Sequence, residues 1–451
     1  MKIVTKWVLL VVVVALVAGA LLNVTSYAGV SGDNQVVNYN AAQTSASSGG
    51  NQKARISEDG NIIMWTSSTK DVIPGDTHTG PAMRIYKRDM STGAVSYAAF
   101  NTLGDPVSVS DSNFDMSRNG RYVVFSTTAR NIVSSPVVPY NSNAVSHVYL
   151  ADTFTNSISM VDTSISGVQA NGSSDGSYAL SVSDDGRFVS FASMATNLLA
   201  SNNPTAVNIY IYVKDLQTGM IINPAVSNSG LRSDSVATRA VSSCDGSLLA
   251  FNSEATNLTP ESSGRGDAYL VDIRNGYKII NLTYSANKSA SVFSISCNGR
   301  YLVLSSLATN LTNDIVSGTR SHYFRYDRLN SSYELVDQST NGFISNTYSP
   351  VGGYLENSNL VSDDGKVVFF SGEHNMVSPA ATKYNLYVRN PELGTTEIVT
   401  INNTGVEYNA ATGGSSTLSI SARGNAVIYN TTATNLTSIT PGNKLIRSSL
   451  D

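Results

Sequence analysis

Cysteine and histidine are scarce in this chain of 451 residues, with two of the first and four of the second. Two cysteines are too few for a disulfide framework, so stability must come from a large core. The four histidines contain no His-x-x-x-His pair and offer no zinc signature. Charge is scarce too: Asp, Glu, Lys and Arg make up 14% of residues, and the net charge is −4 without a run of either sign. A nucleic-acid partner is therefore not expected, because it would call for a clustered basic footprint. With so little charge, the surface must be made polar by Asn, Ser, Thr, Gly and Tyr.

An unbroken apolar run, Trp7 to Leu22, stands after Lys2 and Lys6 near the start of the chain. A basic start, an apolar stretch and the small residues Ser26 and Ala28 read as a secretory signal over residues 1–28. The alternative is an uncleaved signal anchor, although the run falls short of the roughly 20 residues that span a bilayer comfortably. Either reading exports the remainder of the chain. Membrane contact is expected only through residues 7–22, if the signal is retained.

In abundance there is a repeat. "VSDDGRFVSFASMATNL", beginning at Val182, returns as "VSDDGKVVFFSGEHNMV" at Val361 and more loosely five further times. The turn glycines are Gly60, Gly120, Gly186, Gly246, Gly299, Gly365 and Gly424, about 60 residues apart. Each unit has a short strand ending in Ser, then an Asx-Gly turn suited to a tight hairpin. Five residues after the glycine stands Trp65, Phe125, Phe191, Phe251, Leu304, Phe370 or Tyr429. A polar loop, usually opening "A-T-N-L", leads to a third strand with Tyr86, Tyr149, Tyr212, Tyr269, Phe324, Tyr387 or Leu445. A second turn such as "DLQTG" leads to a fourth strand. Seven such units predict an all-β protein, a seven-bladed β-propeller of four-stranded blades over residues 34–451. The seventh unit ends one strand short, and "NQVVNYN" at 34–40 reads as a fourth strand. The N-terminal strand is therefore expected to complete the last blade and close the ring.

The phrase "S-x-D-G-R-[YF]-V-x-F-x-S-x-A-T-N-L" with "[IV]-Y-x-x-D-x-x-T-G" after it resembles the TolB-like, WD-like β-propeller repeats of exported bacterial proteins. The resemblance covers all seven units and departs most in the first and last. It implies the fold and an extracytoplasmic location: secreted, periplasmic or cell-surface. For function it is weak, since such repeats serve binding scaffolds, regulatory propellers of peptidases and some polysaccharide lyases.

This frame points to candidate residues. Arg55 and Asp115, on inner strands of neighbouring blades, are expected to pair, and the channel positions around them read as mostly small and uncharged. That argues against converging acid and base groups, so the leading reading is not an enzyme. Cys244 and Cys297 occupy equivalent turns of adjacent blades, and their ring separation is expected to exceed the reach of a bridge, leaving free thiols. The Asn of "A-T-N-L" is expected to bond backbone. Function is expected on the face bearing the long loops, where Tyr140, Tyr348, Tyr354, Tyr408, His78 and His374 are the candidate binding residues. No cofactor is expected; the oxygen-rich loops at 74–80 and 313–318 leave a structural calcium open. The leading reading is an exported scaffold binding a protein or glycan of the cell envelope. The alternatives are a glycan-active lyase or hydrolase at the channel mouth and a tethered structural surface protein.

Overall fold

The computed structural model describes residues 33–40, 46, 51–69, 71–76, 82–109, 114–134, 145–175, 179–200, 209–314, 316, 318–345, 358–410, 417–436 and 443–450. Seven antiparallel sheets succeed one another along the chain, as the repeat predicts. Blade one comprises Asn51–Ile56, Ile62–Ser67, Arg84–Asp89 and Val95–Tyr97. The last blade pairs Leu418–Ile420, Ala426–Thr431 and Lys444–Ser449 with Gln35–Val36 from the other end of the chain, in the register Gln35↔Arg447. Buried Asn38 locks this closure: its Oδ1 accepts the Leu445 N–H at 2.8 Å and its Nδ2 donates to Asn443 O at 3.0 Å. The expected ring closure is therefore observed. The single helical piece among the described residues is the 3-10 turn His374–Met376.

The recurring turn is held by its serine. Ser183 Oγ donates to Asp185 Oδ1 at 2.6 Å and accepts the Phe188 N–H at 2.9 Å. Ser57, Ser117, Ser243 and Ser296 repeat both contacts. The glycine answers two demands at once. All seven have φ between 67° and 84°, where a side chain is strained. Each also abuts the preceding blade. A Cβ on Gly186 would lie 2.7 Å from the Tyr122 ring, and one on Gly299 would lie 2.6 Å from Leu248.

Behind the turn, the predicted large residues face each other within blades: Trp65–Tyr86, Phe125–Tyr149, Phe191–Tyr212 and Phe251–Tyr269 stack at 5.5 to 6.0 Å. Two assignments shift. In blade six the Ser362 N–H reaches Lys366 O, a turn one residue shorter than Ser57 N–H to Ile62 O. Phe369, not Phe370, therefore stacks on Tyr387. In blade seven Ile446, not Leu445, faces Tyr429. Among the described residues, the first strand of blade six is represented by the Val361↔Val367 bridge.

In blades two, three and five an arginine after the turn glycine clamps the aspartate ending the third strand: Arg121–Asp152, Arg187–Asp215 and Arg300–Asp327, at 2.6 to 2.8 Å. The same carboxylates cap the next turn, as Asp215 Oδ1 does for the Gln217 N–H. The Arg187 hydrogen bonds hold the Asp215 pKa down at about 2, and Arg300 lowers Asp327 likewise.

Two measurements check these points. Gly104 has φ +85° but open space around it, whereas Gly186 has φ +71° against Tyr122. Gly104→Ala should cost about 1 kcal/mol in denaturant unfolding, and Gly186→Ala about 3 kcal/mol once overpacking is added; equal losses would refute the seam contact. Because the folded pKa of Asp215 is depressed, its contribution is present above the unfolded value near 4 and lost as pH falls towards 2. The melting temperature should hold down to about pH 5 and drop below about pH 4, with Asp215→Asn showing a shallower drop.

Candidate functional site

At the turn end of the channel the seven hairpins touch. The Glu58 N–H donates to Arg118 O (2.6 Å), the Arg118 N–H to Asp184 Oδ1 (2.6 Å), the Asp184 N–H to Cys244 O (2.7 Å) and the Cys244 N–H to Cys297 O (3.0 Å). The circuit continues through the Asn298 N–H to Asp363 Oδ1 (2.8 Å), the Asp363 N–H to Ala422 O (2.8 Å) and the Arg423 N–H to Glu58 O (3.2 Å). This convergence corrects the cysteine expectation. The Cα atoms of Cys244 and Cys297 stand 4.7 Å apart and the two residues form a disulfide, because neighbouring turns approach to hydrogen-bonding distance.

The residue after each turn serine lines this constriction, so the channel is more charged than its sequence suggested. Glu58, Arg118, Asp184 and Asp363 share it, with Arg118 only 7% exposed. Burial lowers the Arg118 pKa, offset by Asp115 and Asp363. Burial likewise raises Asp184 and Asp363, offset by their backbone hydrogen bonds and by Arg118. The channel positions that read as small and uncharged are those level with Arg55 and Asp115, two before the turn serine, whereas Glu58, Arg118, Asp184 and Asp363 stand one place after it. The predicted Arg55–Asp115 pair is present at 2.6 Å, with Arg55 1% exposed. The arrangement binds the blades together, and these carboxylates accept hydrogen bonds from neighbouring turns or strands.

On the loop side, the "A-T-N-L" asparagine does bond backbone, but in a different connection. Asn197 Oδ1 accepts the Asn171 N–H (3.0 Å) and its Nδ2 donates to Gln169 O (2.8 Å); Asn171 Oδ1 in return accepts the Thr196 N–H (2.8 Å). Asn310 with Asn287, and Asn435 with Asn409, form the same clasp. Five of the fourth-to-first-strand connections also carry a tight hairpin at Asn101–Gly104, Ser164–Gly167, Ser227–Gly230, Ser339–Gly342 and Asn402–Gly405. Its first side chain accepts the N–H four residues on, as Ser227 Oγ does from Leu231 at 3.0 Å. The hairpins lie on the outer strand of the next blade: Asn228 exchanges two hydrogen bonds with Ile279, and Thr340 accepts the Thr396 N–H. The sequence signal is [Asn/Ser]-x-x-Gly in five of the units.

These clasped hairpins hold out large apolar side chains. Leu103 is 83% exposed, Leu231 61%, and Ile165 is exposed on its own hairpin; Tyr284, outside these hairpins, is exposed at the next connection. They mark four consecutive seams, from blades one and two to blades four and five.

Of the predicted binding residues, Tyr408 is corrected: it is fully buried, its hydroxyl 2.8 Å from that of Tyr429. The short 401–407 hairpin turns the chain back into the core there, where a long loop was expected. His374 is exposed on the 3-10 turn, its Nδ1 2.5 Å from Ala381 O. Tyr140, Tyr348, Tyr354 and His78 lie outside the described residues, as does part of the 74–80 loop. His147 and His322 are buried in blades two and five, each with Nδ1 against an aspartate, Asp162 at 2.8 Å and Asp337 at 2.9 Å.

No family model matches the chain, and no curated protein matches it. Solved structures do. A puromycin-hydrolysing peptidase from Mycobacterium tuberculosis superposes with a TM-score of 0.50 at 12% identity, over 90% of this chain and 52% of that one. An oligogalacturonate lyase from Vibrio parahaemolyticus gives 0.47 at 10% identity, over 94% and 98%. TolB from Acinetobacter baumannii gives 0.36 at 11%, over 89% and 78%. Likeness at this level of identity concerns the fold alone: the chain is a seven-bladed β-propeller with TolB proteins among its structural neighbours.

The disulfide closes a loop of 53 residues, for which chain entropy gives about 4 kcal/mol. The oxidised protein should resist alkylation without reductant, and the Cys244→Ser/Cys297→Ser variant should lose stability of that order in denaturant unfolding. Two alkylated thiols in untreated protein would refute the bridge.

Proposed function

We propose that this protein is an exported, non-enzymatic propeller scaffold that binds a partner of the cell envelope, a protein or glycan, and that a protein engages the rim of its loop side. One observation carries the reading: large apolar side chains stand exposed on four consecutive seams, three of them on hairpins whose bases are hydrogen-bonded. Apolar exposure arranged this way favours association, and rigid presentation limits the ordering cost on binding. Location outside the cytoplasm is supported by the signal-like start and by the resemblance to TolB-like repeats. The paired channel charges offer a substrate few unengaged groups, which supports binding over chemistry.

The opposite face supplies the control, since Phe154 is 81% exposed on a third-to-fourth-strand turn, beneath Arg121. Crosslinking of the tagged protein in its native envelope, with mass spectrometry as the readout, should capture a defined protein. The triple variant Leu103→Ser/Ile165→Ser/Leu231→Ser should reduce that capture about tenfold or more, with an unchanged melting temperature, while Phe154→Ser leaves it intact. Equal capture by the triple variant and the parent would reject the rim.

A further inference from the structure

Between blades five and six the outer seam opens into a polar groove of about 550 Å³. This lies within the range of about 300–1,000 Å³ of small-molecule sites. Its wall mixes charges of both signs: Asp314 from the second-to-third-strand loop of blade five, Glu334 from that blade's outer strand, and Arg389 from blade six. The arrangement is held from behind. Arg389 is 7% exposed and donates to Gly394 O (2.8 Å), Thr396 Oγ1 (3.2 Å) and Gln338 Oε1 (3.4 Å). Glu334 accepts Arg325 Nε at 2.8 Å. Tyr333, next along the same strand, turns to the other face, with its hydroxyl on Leu282 O and its ring 4.9 Å from Tyr326.

An anion entering here would meet Asp314 and Glu334, and a cation would meet Arg389; burial of either without a clean partner is costly. A neutral ligand avoids that cost. Most of the remaining lining, such as Thr312, Asn313, Ser331 and Ser332, offers amides and hydroxyls, groups that both donate and accept, which suits a ligand dense in hydroxyls. Pro391 adds an apolar patch against which the C–H side of a sugar can pack. We infer that this groove binds one or two units of a neutral saccharide. Its residues are separate from Leu103, Ile165 and Leu231, so its failure and that of the rim reading are distinguishable.

Saturation-transfer NMR on the purified protein tests it, with maltotetraose, cellotetraose and chitotetraose each at about 10 mM, beside tetragalacturonate. Transfer to at least one neutral tetramer is expected. Ser332→Trp, which fills the groove from an exposed strand residue, should abolish it. Asp314→Asn, which removes a charged acceptor, should weaken it about tenfold. Melting curves matching the parent verify that both variants fold. Transfer to no neutral tetramer, transfer to the galacturonate alone, or transfer unchanged in both variants would overturn the proposal.

Discussion

Everything in this molecule depends on how closely the inner hairpins can approach one another. The clearance at each seam is less than a methyl group. A Cβ on the turn glycine would fall 2.6 to 2.9 Å from its nearest neighbour across the seam at Gly60, Gly120, Gly186, Gly246, Gly299 and Gly424, and closer still to Arg325 at Gly365. Glycine is thus required twice, for its backbone and for its lack of a side chain. Because the turns come this close, their N–H groups bond from turn to turn around the channel, to carbonyls and to the Asp184 and Asp363 carboxylates. The disulfide is a by-product of the same approach.

The outer edge poses the opposite problem. Each fourth strand leaves a row of backbone groups facing outward, a template for unwanted pairing. The [Asn/Ser]-x-x-Gly hairpins answer it by folding over the next blade, where Asn228 supplies both an acceptor and a donor to Ile279. Asn403 does the same work at the closure, accepting from the N–H and Nδ2 of Asn34. Since the bases of these hairpins are set by structure, their tips are where side chains can vary without cost to the fold.

The sequence exposed the fold through period and alternation, which survive because every blade repeats the same local problem. Blade count, ring closure, the stacked aromatics and the Arg55–Asp115 pair were all readable. What escaped were distances across the ring. The reach between Cys244 and Cys297 depends on the radius at which turns converge, and nothing in a strand pattern encodes a radius. Tyr408 escaped for a related reason: a Tyr among Asn and Gly looks like loop, and only the hairpin before it returns the chain to the core. In blade six a turn shortened by one residue moved the stacked aromatic from Phe370 to Phe369, a slip that alternation registers poorly where Val-Val-Phe-Phe run together.

The charged constriction bears on whether the channel could serve catalysis. A general acid or base must be reachable and must have a proton to give or a lone pair to offer. Asp184 and Asp363 instead accept backbone N–H groups of neighbouring turns, and Arg118 reaches towards Ile420 O across the opening at 3.5 Å. Removing one of these groups would unpair another inside the ring. The outer surface is under no such demand. Its groups are clasped at the base and open at the tip, and on this scaffold it is there that a partner can be gained or changed while the blades remain as they are.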